Sequence, residues 1–145
     1  MRISEVIAAK ASQEVITIAP DATVRDLLRL LAQHNVGALI VSTDGTSVDG
    51  IVSERDIVRR LNDREHVLES PVSSIMTTEV HTCEPHQRIN ELMQAMTERR
   101  IRHVPVLKDG RLIGIISIGD VVKSRMSELE FERDQLDSYV HTAQT

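Results

Sequence analysis

Gly50–Asp56 reads Gly-Ile-Val-Ser-Glu-Arg-Asp, and Gly114–Asp120 repeats its pattern as Gly-Ile-Ile-Ser-Ile-Gly-Asp. In both stretches a glycine and two aliphatic residues precede a serine, and an aspartate follows the serine by three residues. This order predicts a strand that runs directly into the N-terminus of a helix. The aspartate then lies in the first helical turn, where its carboxylate can accept two hydrogen bonds from a vicinal diol. The free backbone N–H groups of the same turn attract anions.

A simpler structural role also fits these residues. Ser53 and Ser117 would each cap a helix, with Asp56 and Asp120 at the third helical position, and such a cap stabilises a helix by about 1 kcal/mol. The pattern occurs at matching places in two repeats, beside other matched residues. We therefore expect a binding role and not capping alone.

The duplication extends well beyond the motif. Residues 15–61 align with residues 80–125 when one single-residue gap is allowed, so the chain is a tandem repeat of a small α/β unit. The identical pairs are Val15/Val80, Thr17/Thr82, Pro20/Pro85, Leu27/Leu92, Val41/Val106, Asp44/Asp109, Gly45/Gly110, Gly50/Gly114, Ile51/Ile115, Ser53/Ser117, Asp56/Asp120 and Val58/Val122.

Each copy predicts the order strand, helix, strand, strand, helix, preceded by a short lead-in helix at Ile3–Ala9 or Val72–Met76. Asp-Gly pairs mark the turn between the last two strands, and Thr23 is a predicted helix N-cap. The predicted strands are Val15–Ile18, Val36–Val41, Val48–Ser53, Val80–Cys83, Ile101–Leu107 and Leu112–Ser117. Apolar residues at helical spacing give the core-facing stripes Val24, Leu27, Leu28 and Leu31, and Ile89, Leu92, Met93 and Met96.

The last helix is predicted to continue past the second copy. Its apolar residues keep a heptad register apart from Arg133, and they are Val122, Met126, Leu129, Leu136 and Val140. This stripe either folds back on its own repeat or contacts another subunit. Both aromatic residues of the chain, Phe131 and Tyr139, lie on this helix, which favours a subunit contact.

Composition limits the class of protein. The chain has 145 residues, of which 41% are apolar and 27% charged, and this balance disfavours an intrinsically disordered protein. The net charge of −5 disfavours a protein whose main role is to bind nucleic acid. Cys83 is a single cysteine, and we find neither a signal peptide nor an apolar run long enough to span a membrane. These features predict a cytoplasmic protein that binds neither nucleic acid nor membrane.

The other chemistry-bearing residues indicate neither a metal site nor catalysis. Three potential metal ligands are close in sequence, namely His81, Cys83 and His86, but the sequence has no second cluster of ligands to complete a metal site. The basic run Arg99–His103 lacks interleaved aromatic residues, so it is not a typical nucleic-acid segment. With no Ser-His-Asp order, acid–base pair or P-loop, we expect no enzyme.

The tandem repeat with its closing motif resembles a pair of cystathionine β-synthase (CBS) domains, also called a Bateman module. Pro20–Val24 and Arg102–Val106 fit the same family. The resemblance implies an α/β fold of the α+β type, in which two tandem repeats pack as a pseudo-twofold pair and a long C-terminal helix follows. The implied domains are repeat 1 at 1–64, repeat 2 at 65–126 and a helical extension at 127–145.

The resemblance also implies a regulatory protein with two clefts between its repeats. In this family such clefts bind adenosine-containing ligands, so AMP is the expected ligand here, with ADP, ATP, S-adenosylmethionine or NAD(H) as alternatives. The modules commonly form flat homodimers and act on a further protein target. The competing interpretation is a structural dimerisation scaffold whose clefts stay empty.

Matching the family pattern residue by residue assigns the two clefts. In the Asp120 cleft, Asp120 would bind the ribose diol and Ser117, Arg102 and His103 the phosphate, with a base wall of Thr17, Ala19, Val36, Gly37 and Ala38. In the Asp56 cleft, Asp56 and Ser53 would face a wall of Thr82, Glu84, Ile101 and Arg102. The clefts are expected to be unequal, because the first repeat has Gly37-Ala38 where the second has Arg102-His103. Arg55, opposite the uncharged Gly119, would partly compensate.

Overall fold

The computed structural model describes residues 1–63 and 65–144, with side chains described to residue 142. Residues 64 and 145, which end the predicted first repeat and helical extension, lie outside the described residues. The elements follow the predicted order except that the first strand of the second copy is absent, and the predicted fold class is confirmed. They are α1 (Ile3–Ala8), β1 (Thr17–Ile18), α2 (Val24–His34), β2 (Ala38–Val41), β3 (Gly50–Ser53), α3 (Glu54–Leu61), α4 (Ile89–Arg99), β4 (His103–Lys108), β5 (Arg111–Ser117) and α5 (Ile118–Gln144).

The first repeat forms a three-stranded sheet against α2. β1 pairs in parallel with β2, and β2 pairs antiparallel with β3, so that Ala38 lies opposite Ser53. The predicted cap of α2 is confirmed: Asp26 N–H donates to Thr23 Oγ1 at 3.1 Å, and Thr23 N–H donates to Asp26 Oδ2 at 3.2 Å. This reciprocal pair satisfies two backbone donors that a helix N-terminus otherwise leaves free.

The second repeat forms a two-stranded hairpin of β4 and β5. Asp109 and Gly110 both have positive φ, 53° and 78°, as a two-residue type I′ turn requires. The predicted strand Val80–Cys83 is wrong, because only Cys83 pairs in parallel with β4, at Val106. The next bond of that ladder would need an N–H at Pro105, which proline lacks.

The lead-in segments exchange partners between the repeats. α1 precedes the first repeat, yet Ile3 and Val6 are buried in the core of the second. The linker between the repeats forms two 3₁₀ turns, Val67–Glu69 and Val72–Ser74, and packs into the core of the first. The predicted helix Val72–Met76 is therefore a shorter 3₁₀ turn. Each core is completed by a segment from elsewhere in the chain, and the repeats interlock.

α5 continues without interruption from the second repeat, as the sequence predicts. Its side chains from Leu129 to His141 are exposed, including Phe131 and Tyr139 at 64% and 74%. The apolar stripe of this part of the helix therefore does not fold back on its own repeat. None of the helices described is long and apolar enough to cross a membrane.

Candidate functional site

Two cavities lie where the duplicated strand–helix junctions face the opposite repeat. The Asp120 cleft has a volume of about 470 Å³ and the Asp56 cleft about 330 Å³. Both volumes are in the range of small-molecule sites. The residues that line the Asp120 cleft include Lys10, Ser12, Glu14, Ile16, His34, Val36, Ala38, Ile115, Asp120 and Lys123. Those of the Asp56 cleft include Ile51, Ser53, Arg55, Asp56, Arg59, Thr77, Glu79, His81, Arg100, Ile101, Arg102 and His103.

The clefts correspond to one another through the internal repeat. Each combines a wall from one repeat with the strand–helix junction of the other, so neither is complete within a single repeat. Matched positions in the two linings are Ser12/Thr77, Glu14/Glu79, Val36/Ile101, Ile115/Ile51, Asp120/Asp56 and Lys123/Arg59.

Both aspartates of the motif cap a helix and also line a cleft. Asp56 Oδ2 accepts hydrogen bonds from Ser53 N–H at 2.8 Å and from Ser53 Oγ at 3.1 Å. Asp120 Oδ2 accepts from Ser117 N–H at 2.9 Å, while Asp120 N–H donates to Ser117 Oγ at 3.1 Å. In the described part of the chain these bonds use Oδ2 alone, so Oδ1 of each carboxylate remains available to a ligand. The structural role and the binding role are compatible.

Lys10 distinguishes the Asp120 cleft from its counterpart. Its Nζ lies 3.1 Å from Asp120 Oδ2 and donates to the carbonyl oxygen of Ile115 at 2.7 Å. Burial raises the pKa of Asp120, but the Ser117 hydrogen bonds and the Lys10 ammonium outweigh it, so the pKa lies below its ordinary value. Among the described residues no cation lies within 4.0 Å of the Asp56 carboxylate.

His103 lies near groups of both clefts. A Cβ added to Gly37 would lie 3.7 Å from His103 Cε1 and 3.5 Å from Glu54 Oε1, so these three residues meet. Burial lowers the pKa of His103, and the carboxylates of Asp120 and Glu54 oppose this shift without reversing it. His103 is therefore a neutral hydrogen-bonding group at neutral pH.

The structure brings together part of each predicted residue set. Of the Asp120 set, Asp120, Val36 and Ala38 line that cleft. Three further members line the Asp56 cleft instead, and they are Gly37, Arg102 and His103. Within the described ranges the last three members line neither cleft, and they are Thr17, Ala19 and Ser117. Of the Asp56 set, five members line the predicted cleft: Ser53, Arg55, Asp56, Ile101 and Arg102. Thr82 and Glu84 lie outside that lining. The role of each residue toward a ligand stays a prediction.

Several cationic residues at the clefts escaped the sequence analysis. Arg59 and Lys123 each follow a motif aspartate by three residues, a spacing that places both side chains on one helix face and was readable in the sequence. Lys10 gave no such signal, because it is 110 residues away from Asp120 in the chain. Arg100 entered the sequence analysis only as part of the basic run Arg99–His103, but it lines the Asp56 cleft.

Cys83 has no reactive character in this fold. It is buried, and burial raises the pKa of its thiol to about 12. Across residues 1–63 and 65–144, no three His, Cys, Asp or Glu side chains form a group that could hold a metal ion.

Comparison with known proteins identifies the family. A CBS domain model matches the chain twice, at residues 3–63 and 72–127. The "CBS domain-containing protein CBSX3, mitochondrial" of Arabidopsis thaliana is 38% identical over 95% of this chain and 71% of its own length. The structure of CBS-domain containing protein ATU1752 from Agrobacterium tumefaciens matches with a TM-score of 0.81 and 38% identity, over 86% of this chain and 99% of that one.

A more distant neighbour shares the fold and was solved with ligands. It is the CBS domain pair of protein MJ0100 in complex with 5′-methylthioadenosine and S-adenosyl-L-methionine, which matches with a TM-score of 0.77 and 21% identity, over 88% of this chain and 98% of that one. With two tandem copies of the domain filling most of its length, this chain belongs to the CBS domain family.

Proposed function

We propose that this protein is a non-enzymatic regulatory module that binds adenosine-containing ligands in its two clefts. The observation that carries the proposal is the duplicated cleft, in which a carboxylate with one free oxygen faces an aliphatic wall from the other repeat. The adenosyl ligands of the MJ0100 domain pair support this class of ligand. AMP is the ligand we propose first, with ADP, ATP and NAD(H) as the alternatives.

The geometry suggests how each part of such a ligand is held. Oδ1 of Asp56 or Asp120 would accept hydrogen bonds from the ribose hydroxyls, because Oδ2 is already occupied by the helix cap. The adenine would lie against aliphatic side chains such as Val36 or Ile101, since both aromatic residues are on α5. A phosphate would meet the N-terminus of α3 or α5 and the basic side chain one turn further on.

We also propose that the module acts as a homodimer in the cytoplasm and passes ligand occupancy to a partner protein. Exposed apolar residues occur at corresponding places on α3 and α5, with Val58 exposed by 66% and Val122 by 51%. Because the internal repeat makes this face nearly symmetric, a second copy could cover it with the same patch, as a two-fold interface requires. The same face favours the competing candidate, a dimerisation scaffold with empty clefts.

The test uses the absence of tryptophan. With one tyrosine and no tryptophan, the protein absorbs little at 280 nm, so a co-purified adenine compound would dominate its ultraviolet spectrum. We would record the spectrum, denature the sample by heat and identify the released compound by mass spectrometry. An AMP or NAD(H) mass supports the proposal. A clean spectrum with no thermal shift from a panel of adenine nucleotides overturns it in favour of the scaffold.

A further inference from the structure

The charge of the Asp56 cleft differs from that of its counterpart. Its lining contains four arginines, Arg55, Arg59, Arg100 and Arg102, against three carboxylates, Glu54, Asp56 and Glu79. Within residues 1–63 and 65–144, none of these guanidinium groups makes a hydrogen bond or lies within 4.0 Å of a carboxylate oxygen. Four exposed guanidinium groups without a protein partner around one cavity give it a surplus of hydrogen-bond donors for an anionic ligand.

The Asp120 cleft lacks this surplus. Its lining contains two lysines, Lys10 and Lys123, and two carboxylates, Glu14 and Asp120. It also contains Met1, whose N-terminal ammonium is paired with Glu128 at 3.5 Å. One of the lysines is already bound to Asp120 at 3.1 Å. The clefts therefore share their shape through the internal repeat but differ in the charge that they offer to a ligand.

Arg100 is placed at a backbone position that does not favour arginine. It ends α4 in the left-handed conformation, with φ of 54°, where the first repeat has Asn35 with φ of 52°. Asparagine adopts this conformation far more readily than arginine does. Local backbone preference therefore does not account for an arginine at this position, where the side chain lines the Asp56 cleft.

We propose that the Asp56 cleft selects ligands by a polyphosphate tail, as in a nucleoside di- or triphosphate, and that the Asp120 cleft does not. The adenosine part of this ligand rests on the proposed function. The planar guanidinium fork matches pairs of phosphate oxygens, and several such forks favour two or three phosphates over one. The carboxylates of Glu54 and Glu79 would repel a polyphosphate tail that does not contact the arginines.

The experiment measures binding by calorimetry with four probes: adenosine, AMP, ATP without magnesium, and inorganic tripolyphosphate. It compares the wild type with Arg59→Gln and with Arg60→Gln, a neighbouring exposed arginine on α3 that lines neither cleft. We expect ATP to bind at least about tenfold more tightly than adenosine, with a salt-dependent affinity. Arg59→Gln should weaken ATP and tripolyphosphate about tenfold and leave adenosine unchanged, whereas Arg60→Gln should change none of them.

The probes separate this proposal from the proposed function. If adenosine and ATP bind equally, or if both variants weaken ATP to the same extent, the charge-selection proposal is overturned while adenosine binding stands. If tripolyphosphate binding depends on Arg59 and adenosine and AMP do not bind, anion selection is supported and the proposed function fails. Melting curves of both variants check that each is folded.

Discussion

Asp56 and Asp120 each close a helix N-terminus and line a cleft with the same carboxylate. The capping bonds fix the side-chain rotamer, so Oδ1 is held in place before a ligand arrives. A preorganised acceptor of this kind loses less entropy on binding than a mobile side chain would. The capping bond is thus part of the binding geometry.

The first prediction separates the two roles of this carboxylate. Asp120→Asn should weaken adenosine binding at the Asp120 cleft about tenfold, because the ribose hydroxyls lose a charged acceptor. It should also cost about 1 kcal/mol of stability through the weakened cap. Asp26→Asn alters the equivalent cap of α2 and serves as the matched control, because Asp26 itself lines neither cleft. Calorimetry and thermal melts measure both effects, and an equal loss of affinity in the two variants would contradict the assignment.

The second prediction concerns Lys10. Its ammonium helps to hold the pKa of Asp120 below the ordinary 3.8, so Lys10→Met should raise that pKa. Because the folded pKa is depressed, the pair stabilises the wild type above pH 3.8 and this contribution is lost as the pH falls through the folded pKa. The variant should be less stable by about 1 kcal/mol at neutral pH, and the difference should close in acid. Carboxyl NMR titration and melts against pH give both readouts; a pH-independent difference would refute the ion-pair role.

At the scale of elements, the exchange of lead-in segments decides which parts stabilise one another. Ile3 of α1 is fully buried in the second core, and Ile3 N–H donates to the carbonyl oxygen of Gln87 at 2.9 Å. The linker makes the equivalent contact with the first repeat, where Val72 N–H donates to the carbonyl oxygen of Ala22 at 2.8 Å. α1 thus stabilises a repeat whose aligned segment begins at Val80, more than seventy residues after α1 ends.

The third prediction follows from that packing. Ile3→Ala should lower the free energy of unfolding by about 2–5 kcal/mol, because it leaves a cavity in a closed core. Hydrogen exchange should show the largest loss of protection in β4 and β5, although the substitution lies at the N-terminus. If β2 and β3 lose protection first, α1 stabilises the first repeat, which contradicts the packing of α1 in the core of the second repeat.

The fourth prediction tests the exposed face of α3 and α5. In the proposed homodimer, Val122→Glu would bury a charge and should weaken association by about 2 kcal/mol, roughly 30-fold. Ile113→Glu, at an exposed position on β5 and outside both helices, is the control. Light scattering after gel filtration gives the mass of each variant. Dimers of unchanged strength in Val122→Glu would place the interface elsewhere.

At the scale of the whole molecule, local sequence patterns predicted most helices, strands and turns, but they did not predict features that depend on contacts between residues distant in the chain. The cap at Thr23, the Asp109-Gly110 turn and the long last helix follow from neighbouring residues, and the structure has all three. The prediction of a strand at Val80–Cys83 is wrong because its hydrogen-bond ladder would need a backbone N–H at Pro105, a residue distant in the chain that has none. Lys10 reaches Asp120 through the packing of the whole fold, which periodicity does not encode.

α5 begins at the wall of the Asp120 cleft and extends unbroken for 27 residues, a rod roughly 40 Å long. Such a rod is a lever. If a ligand beside Asp120 tilts the helix by about 5°, its far end moves by roughly 3.5 Å, more than enough to separate two packed side chains. A small movement at the cleft would therefore become a larger displacement of the distal part of α5 and of any partner that contacts Phe131 and Tyr139.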